Sequence, residues 1–117
     1  IRRSNKKKIQ TILERIPGVS VVDEKENAET SWFGVPIICE TSALKRSLVA
    51  YLEENKIQTR NYFAGNILLH AGYRHLDDAS KYPNANQVLN KVFFLGCSPT
   101  INETMIDYID DVIKRFG

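Results

Sequence analysis

The sequence predicts an α+β fold, in which helices cover one face of a small mixed or antiparallel sheet. Helical and strand-like segments alternate irregularly along the 117 residues, and the first two strand-like segments follow each other with no helix between them. Hydrophobic residues make up 43% of the chain, which is enough for one core without help from a metal or a disulfide.

Two helices are predicted in the first half of the chain. Residues 5–16 carry apolar residues at the spacing of one helix face, and Pro17-Gly18 ends this helix because proline cannot continue the hydrogen-bond ladder. Residues 42–55 form the second helix, which Thr41 or Ser42 caps. Its apolar stripe consists of Leu44, Leu48, Tyr51 and Leu52.

Three strands are predicted around these helices, at Val19 to Val22, Ser31 to Glu40 and Ile57 to Phe63, with a polar loop from Asp23 to Thr30. Pro36 interrupts the second of them. Because proline has no N–H for a ladder bond, this strand is expected at a sheet edge or with a bulge.

The second half of the chain begins with the turn Ala64-Gly65-Asn66, where Asn66 is predicted to cap a short helical piece through His70. Residues 71–82 are polar and irregular. Pro83 opens a helix that runs to Val92, because proline fits a first helical turn. Phe93 to Cys97 then forms an apolar strand.

A last helix follows Thr100 and Glu103, whose spacing is typical of a capping box. Its inward residues are expected to be Met105, Ile109, Val112, Ile113 and Phe116.

Composition excludes several classes of site. No apolar run approaches the roughly 20 residues of a membrane span. The formal net charge is +2, and the basic cluster near the start is not continued elsewhere, so no nucleic-acid partner is expected. Cys39 and Cys97 lie in apolar runs and are expected to be buried, reduced thiols of a cytoplasmic protein. His70 and His75 are five residues apart, which does not favour a metal site.

One segment combines residues suited to ligand binding, namely Thr59-Arg60-Asn61-Tyr62-Phe63-Ala64-Gly65-Asn66. Arginine offers a planar fork of donors for phosphate or carboxylate, and glycine allows close approach of a ligand or backbone. Composition alone leaves open the plainer reading, in which Phe63 is a core residue, Gly65 a turn and Arg60 a surface charge.

The segment resembles the T-R-P-x-F-A-G-N signature of the DegT/DnrJ/EryC1/StrS family of sugar-nucleotide aminotransferases. Other segments resemble the branch that contains CDP-4-dehydro-6-deoxyglucose 3-dehydratase and lipopolysaccharide-synthesis proteins. They are Ser31-Trp32-Phe33-Gly34-Val35-Pro36, the helix Leu44 to Glu54 with Ile57-Gln58-Thr59-Arg60, and Phe94-Leu95-Gly96-Cys97-Ser98-Pro99 with Glu103-Thr104-Met105-Ile106-Asp107-Tyr108. The chain departs from the pattern at Asn61, Ser98 and Thr100.

The resemblance implies that residues 1–117 are the C-terminal small domain of a fold-type I pyridoxal-phosphate enzyme, with residues 1–16 as a connecting helix and 17–117 as the α+β body. The cofactor is then expected on a large N-terminal domain outside this chain. Residues 1–117 would themselves contain no catalytic residue, no cofactor ligand and no metal ligand. The implied partners are that large domain, a second subunit in a homodimer and a sugar nucleotide. Its implied substrate-binding residues are Arg60, Tyr62, Phe63, Gly65 and Asn66.

The implied reaction is 3-dehydration or transamination of a nucleotide-linked keto-deoxy sugar for lipopolysaccharide or other surface polysaccharide, and this chain alone is not expected to be active. A stand-alone regulatory module that binds a small molecule is the alternative, and it would explain the size and the mixed elements.

Overall fold

The computed structural model describes residues 1–117 as four helices against one four-stranded antiparallel sheet. The helices are α1 (Arg2–Leu13), α2 (Ser42–Glu54), α3 (Pro83–Lys91) and α4 (Glu103–Lys114). The strands are β1 (Val19–Val21), β2 (Gly34–Cys39), β3 (Thr59–Asn61) and β4 (Val92–Gly96). Two 3-10 turns, Ile67–Leu69 and Ala79–Lys81, lie between β3 and α3. The α+β prediction is confirmed, and no helix is both long and apolar enough to cross a membrane.

The strand order is β1-β2-β4-β3, so the two longest strands occupy the centre of the sheet. Alternate side chains of β2 and β4 point to opposite faces. Val35, Ile37, Phe93 and Leu95 point into the core, where they meet buried residues of the helices such as Leu48. The other face of the sheet, here called the outer face, carries the residues between them, such as Pro36 and Phe94.

The prediction for Pro36 is wrong, because β2 is an inner strand and pairs with β4 without a bulge. Val22 N–H donates to the carbonyl of Pro36 at 3.1 Å, and Pro36 has no N–H to return the bond. The missing N–H of Pro36 faces β1, and the pairing of β1 with β2 ends at this residue. The proline therefore interrupts no ladder bond between β2 and β4.

Helix caps agree with the sequence at two places and differ at a third. Thr41 accepts from the N–H of Leu44 at the start of α2, and Asn66 accepts from the N–H of Leu68, both as predicted. At α4 the predicted capping box is wrong. Asn102 caps the helix by accepting from Met105 N–H at 3.0 Å, while the Thr100 hydroxyl contacts Ser98.

Two further predictions fail at the helices. Met105 was expected to point inward but is 50% exposed, and the buried residues of α4 are Ile106, Ile109, Val112 and Ile113. The first helix starts three residues earlier than predicted, at Arg2, and packs against β1 and α4. Strand β3 is shorter than predicted, so Tyr62 and Phe63 lie in the loop that follows it.

Candidate functional site

The outer face of the sheet places Arg60 directly opposite Phe94, its cross-strand partner in β4. Arg60 is exposed and takes part in none of the six salt bridges of the chain. A charged side chain without an internal partner is available to an external one. Arg60 therefore presents an unpaired guanidinium on the outer face.

Four aromatic side chains contact one another beside Arg60 and form what we call the aromatic cluster: Phe33, Tyr62, Phe63 and Phe94. The rings of Phe33 and Phe63 are 71% and 69% exposed, whereas Phe94 beneath them is 8% exposed. The Phe94 centroid lies 5.8 Å from that of Phe33 and 6.0 Å from that of Phe63. Tyr62 meets Phe63 edge to face at 5.2 Å.

Phe63 owes its position to an uncommon backbone conformation. Its φ angle is +53°, in the left-handed region that side chains other than glycine seldom adopt. The N–H of Phe63 donates to the carbonyl of Asn61 at 2.8 Å, which closes a tight turn directly after β3. Backbone strain of this kind costs about 1–3 kcal/mol and occurs preferentially at functional sites.

Gly65 and Asn66 shape the same loop from inside. The φ angle of Gly65 is +65°, and a methyl group there would lie 2.7 Å from Cβ of Leu89. The Asn66 amide is buried and fully used, because it donates to the carbonyl of Ala79 and to the side chain of Asn86 and accepts from Leu68 N–H. The structure thus brings Arg60, Tyr62 and Phe63 together on the outer face and turns the Asn66 side chain inward.

Sequence reasoning did not assign Phe33, Phe94 or Gln58 to the site, although all three line one depression together with Arg60 and Phe63. The sequence held a partial signal, since Phe33 and Phe94 each lie close to a glycine in a strand-like run. Only the pairing of β2 with β4, which aligns Gly34 with Gly96, brings the two phenylalanines side by side.

Three buried titratable groups, Lys45, Cys39 and Cys97, have perturbed pKa values. Burial lowers the pKa of the Lys45 ammonium, an effect that the nearby Cys39 thiol partly opposes. Burial raises the pKa of the Cys39 and Cys97 thiols. These cysteines are buried and unpaired, and no group of three or more His, Cys, Asp or Glu side chains is arranged for a metal.

The side chains of the site are suited to binding. One unpaired guanidinium can meet an anionic or hydroxyl-rich group, and the aromatic cluster beside it can meet an apolar surface. No carboxylate, imidazole or free amine lines the depression.

Comparison with known proteins identifies the class. The chain belongs to the DegT/DnrJ/EryC1/StrS aminotransferase family, whose model matches residues 1–114, and the resemblance read from the motifs is confirmed.

Particular relatives are partly similar to this chain. It is 31% identical over 119 residues to a dTDP-4-dehydro-2,6-dideoxy-D-glucose 3-dehydratase of Saccharopolyspora spinosa, an alignment that covers 98% of this chain and 26% of the relative. It is 33% identical over 95 residues to the lipopolysaccharide biosynthesis protein RfbH of Salmonella typhimurium, covering 78% of this chain and 22% of the relative.

Solved structures share the fold. The E. coli GDP-4-keto-6-deoxy-D-mannose-3-dehydratase with bound hydrated PLP superposes with a TM-score of 0.72 at 24% identity, over 97% of this chain and 30% of that one. The chain thus spans between 22% and 30% of the length of these proteins.

Proposed function

We propose that this chain is the small, C-terminal domain of a pyridoxal-phosphate-dependent enzyme that modifies a nucleotide-linked keto-deoxy sugar by 3-dehydration or transamination. Family membership supports the enzyme class. The names of the two curated relatives support 3-dehydration and a role in lipopolysaccharide or other surface polysaccharide synthesis. Transamination remains the second reaction, because the family as a whole is described as one of aminotransferases.

One observation carries the assignment of the site, namely the free Arg60 guanidinium beside an exposed aromatic cluster on the outer face. A sugar nucleotide offers a diphosphate and hydroxyl groups to a guanidinium, and a deoxygenated ring presents apolar C–H groups to aromatic rings. We assign Arg60, Tyr62 and Phe63 to substrate contact. Gly65 and Asn66 complete the proposed site by holding the loop that carries them.

We infer that the cofactor is held outside this chain. Its two buried lysines are Lys6 and Lys45, and both amines are occupied by hydrogen bonds. When bound in the full-length protein, the cofactor supplies an electron sink for the reacting carbon. We place the residues that hold it in the large domain, with the full-length enzyme acting as a cytoplasmic homodimer.

Steady-state kinetics of the full-length protein test the proposal. With a nucleotide-linked 4-keto-6-deoxy sugar as substrate, assayed with and without an amino donor, Arg60→Ala should lower kcat/KM by about 30-fold to 1,000-fold. Arg60→Lys should recover part of that loss, because it restores the charge but not the fork. Arg46→Ala is the matched control, since this exposed arginine lies on α2, on the other side of the sheet.

Two outcomes would count against the proposal. One is an Arg60→Ala enzyme with unaltered kcat/KM, and the other is a variant that no longer folds, because an exposed arginine contributes little to stability. A stand-alone regulatory module would instead be indicated if an amino acid or other metabolite, and no sugar nucleotide, raised the melting temperature of this chain.

A further inference from the structure

Lys45 is a buried lysine with no acidic partner. It is 8% exposed, on the core side of α2, and no carboxylate forms a salt bridge with it. Its Nζ donates to the backbone carbonyl of Leu89 at 2.7 Å and to Oδ1 of Asn61 at 3.2 Å. Lysine is almost never buried without a paired charge, so this arrangement calls for a reason beyond packing.

The two acceptors of Lys45 both border residues 62–65, the segment here called the substrate loop. Asn61 is the last residue of β3 and follows Arg60 directly. Leu89 is the residue of α3 against which Gly65 packs, so closely that a methyl group at Gly65 would lie 3.1 Å from the Leu89 Cα. One ammonium group therefore links the strand end before the loop to the backbone of α3, against which Gly65 of the loop packs.

The residue between these two attachments is the strained one. Phe63 keeps a φ of +53° although the residue is 69% exposed, and its ring contacts only the other rings of the aromatic cluster. A strained conformation persists only where its surroundings determine it. The Lys45 bonds tie Asn61, before this turn, and Leu89, on which Gly65 packs, to α2, and they act beside the Asn66 bonds that hold the far side of the loop.

Stability alone does not favour a lysine here. Burying an ammonium group costs free energy that two neutral acceptors offset only in part, and an apolar side chain of similar length would avoid the cost. Asn61 is exposed at the strand end and could bond to water instead. A gain in stability therefore does not account for a lysine at this position.

We propose that Lys45 is a positioning residue, which holds Asn61 and Leu89 together so that Arg60 and Phe63 stay on the outer face in the orientation that substrate requires. The identity of the ligand rests on the function proposed above. The mechanical part of the proposal is that Lys45 orders residues 59–65, and this part is independent of the ligand.

Amide hydrogen exchange of this chain tests the mechanical part. In Lys45→Met, the amides of residues 59–65 should exchange about tenfold faster than in the wild type, while those of α1 and α4 keep their rates. Asn61→Ala, a change at an exposed residue that should not prevent folding, should loosen the same amides. Arg46→Met is the control, since it removes a cation from the next position of α2 and should change none of these rates.

Unchanged exchange in residues 59–65 of Lys45→Met would overturn the proposal, and so would a uniform increase over the whole chain, which a merely structural lysine would produce. Should Lys45→Met fail to fold, the Asn61→Ala result decides in the same way.

A double-mutant cycle in the full-length protein tests the functional part. Lys45→Met and Asn61→Ala should each lower kcat/KM by about tenfold, and the double variant should lose no more than either alone, because both act through one contact. Multiplied losses would contradict this coupling. If the wild type turns over no nucleotide sugar at all, the proposed function fails, whereas the exchange experiment still decides the role of Lys45.

Discussion

The Nζ atom of Lys6 lies 4.4 Å from the centroid of the Trp32 ring, which ties α1 to the segment that leads into β2. The lysine side chain is 4% exposed, and its amine also contacts Asp23 at 2.9 Å and Gln10 at 2.7 Å. A cation held over an aromatic ring and paired with one carboxylate is a satisfied charge. This contact stabilises the approach to Phe33, the next residue after Trp32.

Removal of the Asp23 carboxylate should show how much the buried Lys6 ammonium depends on this partner. We expect Asp23→Asn to lower the free energy of unfolding by about 1–2 kcal/mol, less than for a fully buried pair because Asp23 is mostly solvent-exposed. Urea denaturation measures the change. Glu26→Gln, an exposed change in the same loop, is the control, and equal effects of the two substitutions would contradict the prediction.

Gly34 and Gly96 are cross-strand partners that should respond differently to the same substitution. A methyl group at Gly34 would lie 2.6 Å from the Phe94 ring and 2.9 Å from the Leu95 carbonyl oxygen, whereas one at Gly96 would have no neighbour within 4 Å. We expect Gly34→Ala to cost about 1–3 kcal/mol, and Gly96→Ala to change stability by less than about 0.5 kcal/mol. Thermal melts compare the two, and near-ultraviolet circular dichroism reports whether the aromatic cluster moves. Equal changes in stability for Gly34→Ala and Gly96→Ala would contradict the prediction, because they would show that the Phe94 ring can move away from a methyl group at Gly34.

Gly65 offers a second comparison, with Gly72. Alanine at Gly65 would have to adopt a φ of +65° and meet Leu89 at 2.7 Å, so we expect a loss of about 2–4 kcal/mol in the free energy of unfolding. Gly72 has no neighbour within 4 Å and no positive φ, and its replacement by alanine should be nearly neutral. Chemical denaturation checks both variants. A tolerant Gly65 would mean that the loop can move away from α3.

Asp110 should make the stability of the chain sensitive to acid. Hydrogen bonds from Lys114 and then from Arg15 lower the pKa of this carboxyl below its ordinary value of 3.8. The unfolded chain then takes up the proton first, so the stabilisation is present above pH 3.8 and is lost as the pH falls from there through the folded-state pKa.

We therefore expect the wild type to melt at a higher temperature than Asp110→Asn at about pH 6, with the gap shrinking as the pH falls below 3.8. Asp111→Asn, at a neighbouring residue that forms no salt bridge, should show no such convergence. A gap between wild type and Asp110→Asn that stays constant with pH would contradict the assigned role.

Local chemistry in the sequence determined much of this structure. The starts of α2 and α3 follow from the Thr41 cap and from Pro83 at a first turn, and the Asn66 cap follows from its own side chain. These features depend on residues within a few positions of each other. The family motifs likewise identified the class, because they are short segments that can be read in order along the chain.

Tertiary structure decided which of those segments meet. The sequence could not place β2 inside the sheet, align Gly34 with Gly96, or bring Phe33 and Phe94 beside Arg60, because strand order and register are set by pairing between residues far apart in the chain. The inward turn of Asn66 and the Lys45 bonds to Asn61 and Leu89 arise in the same way. A buried polar group must find a hydrogen-bond partner, and which partner it finds depends on the packed fold rather than on its neighbours in sequence.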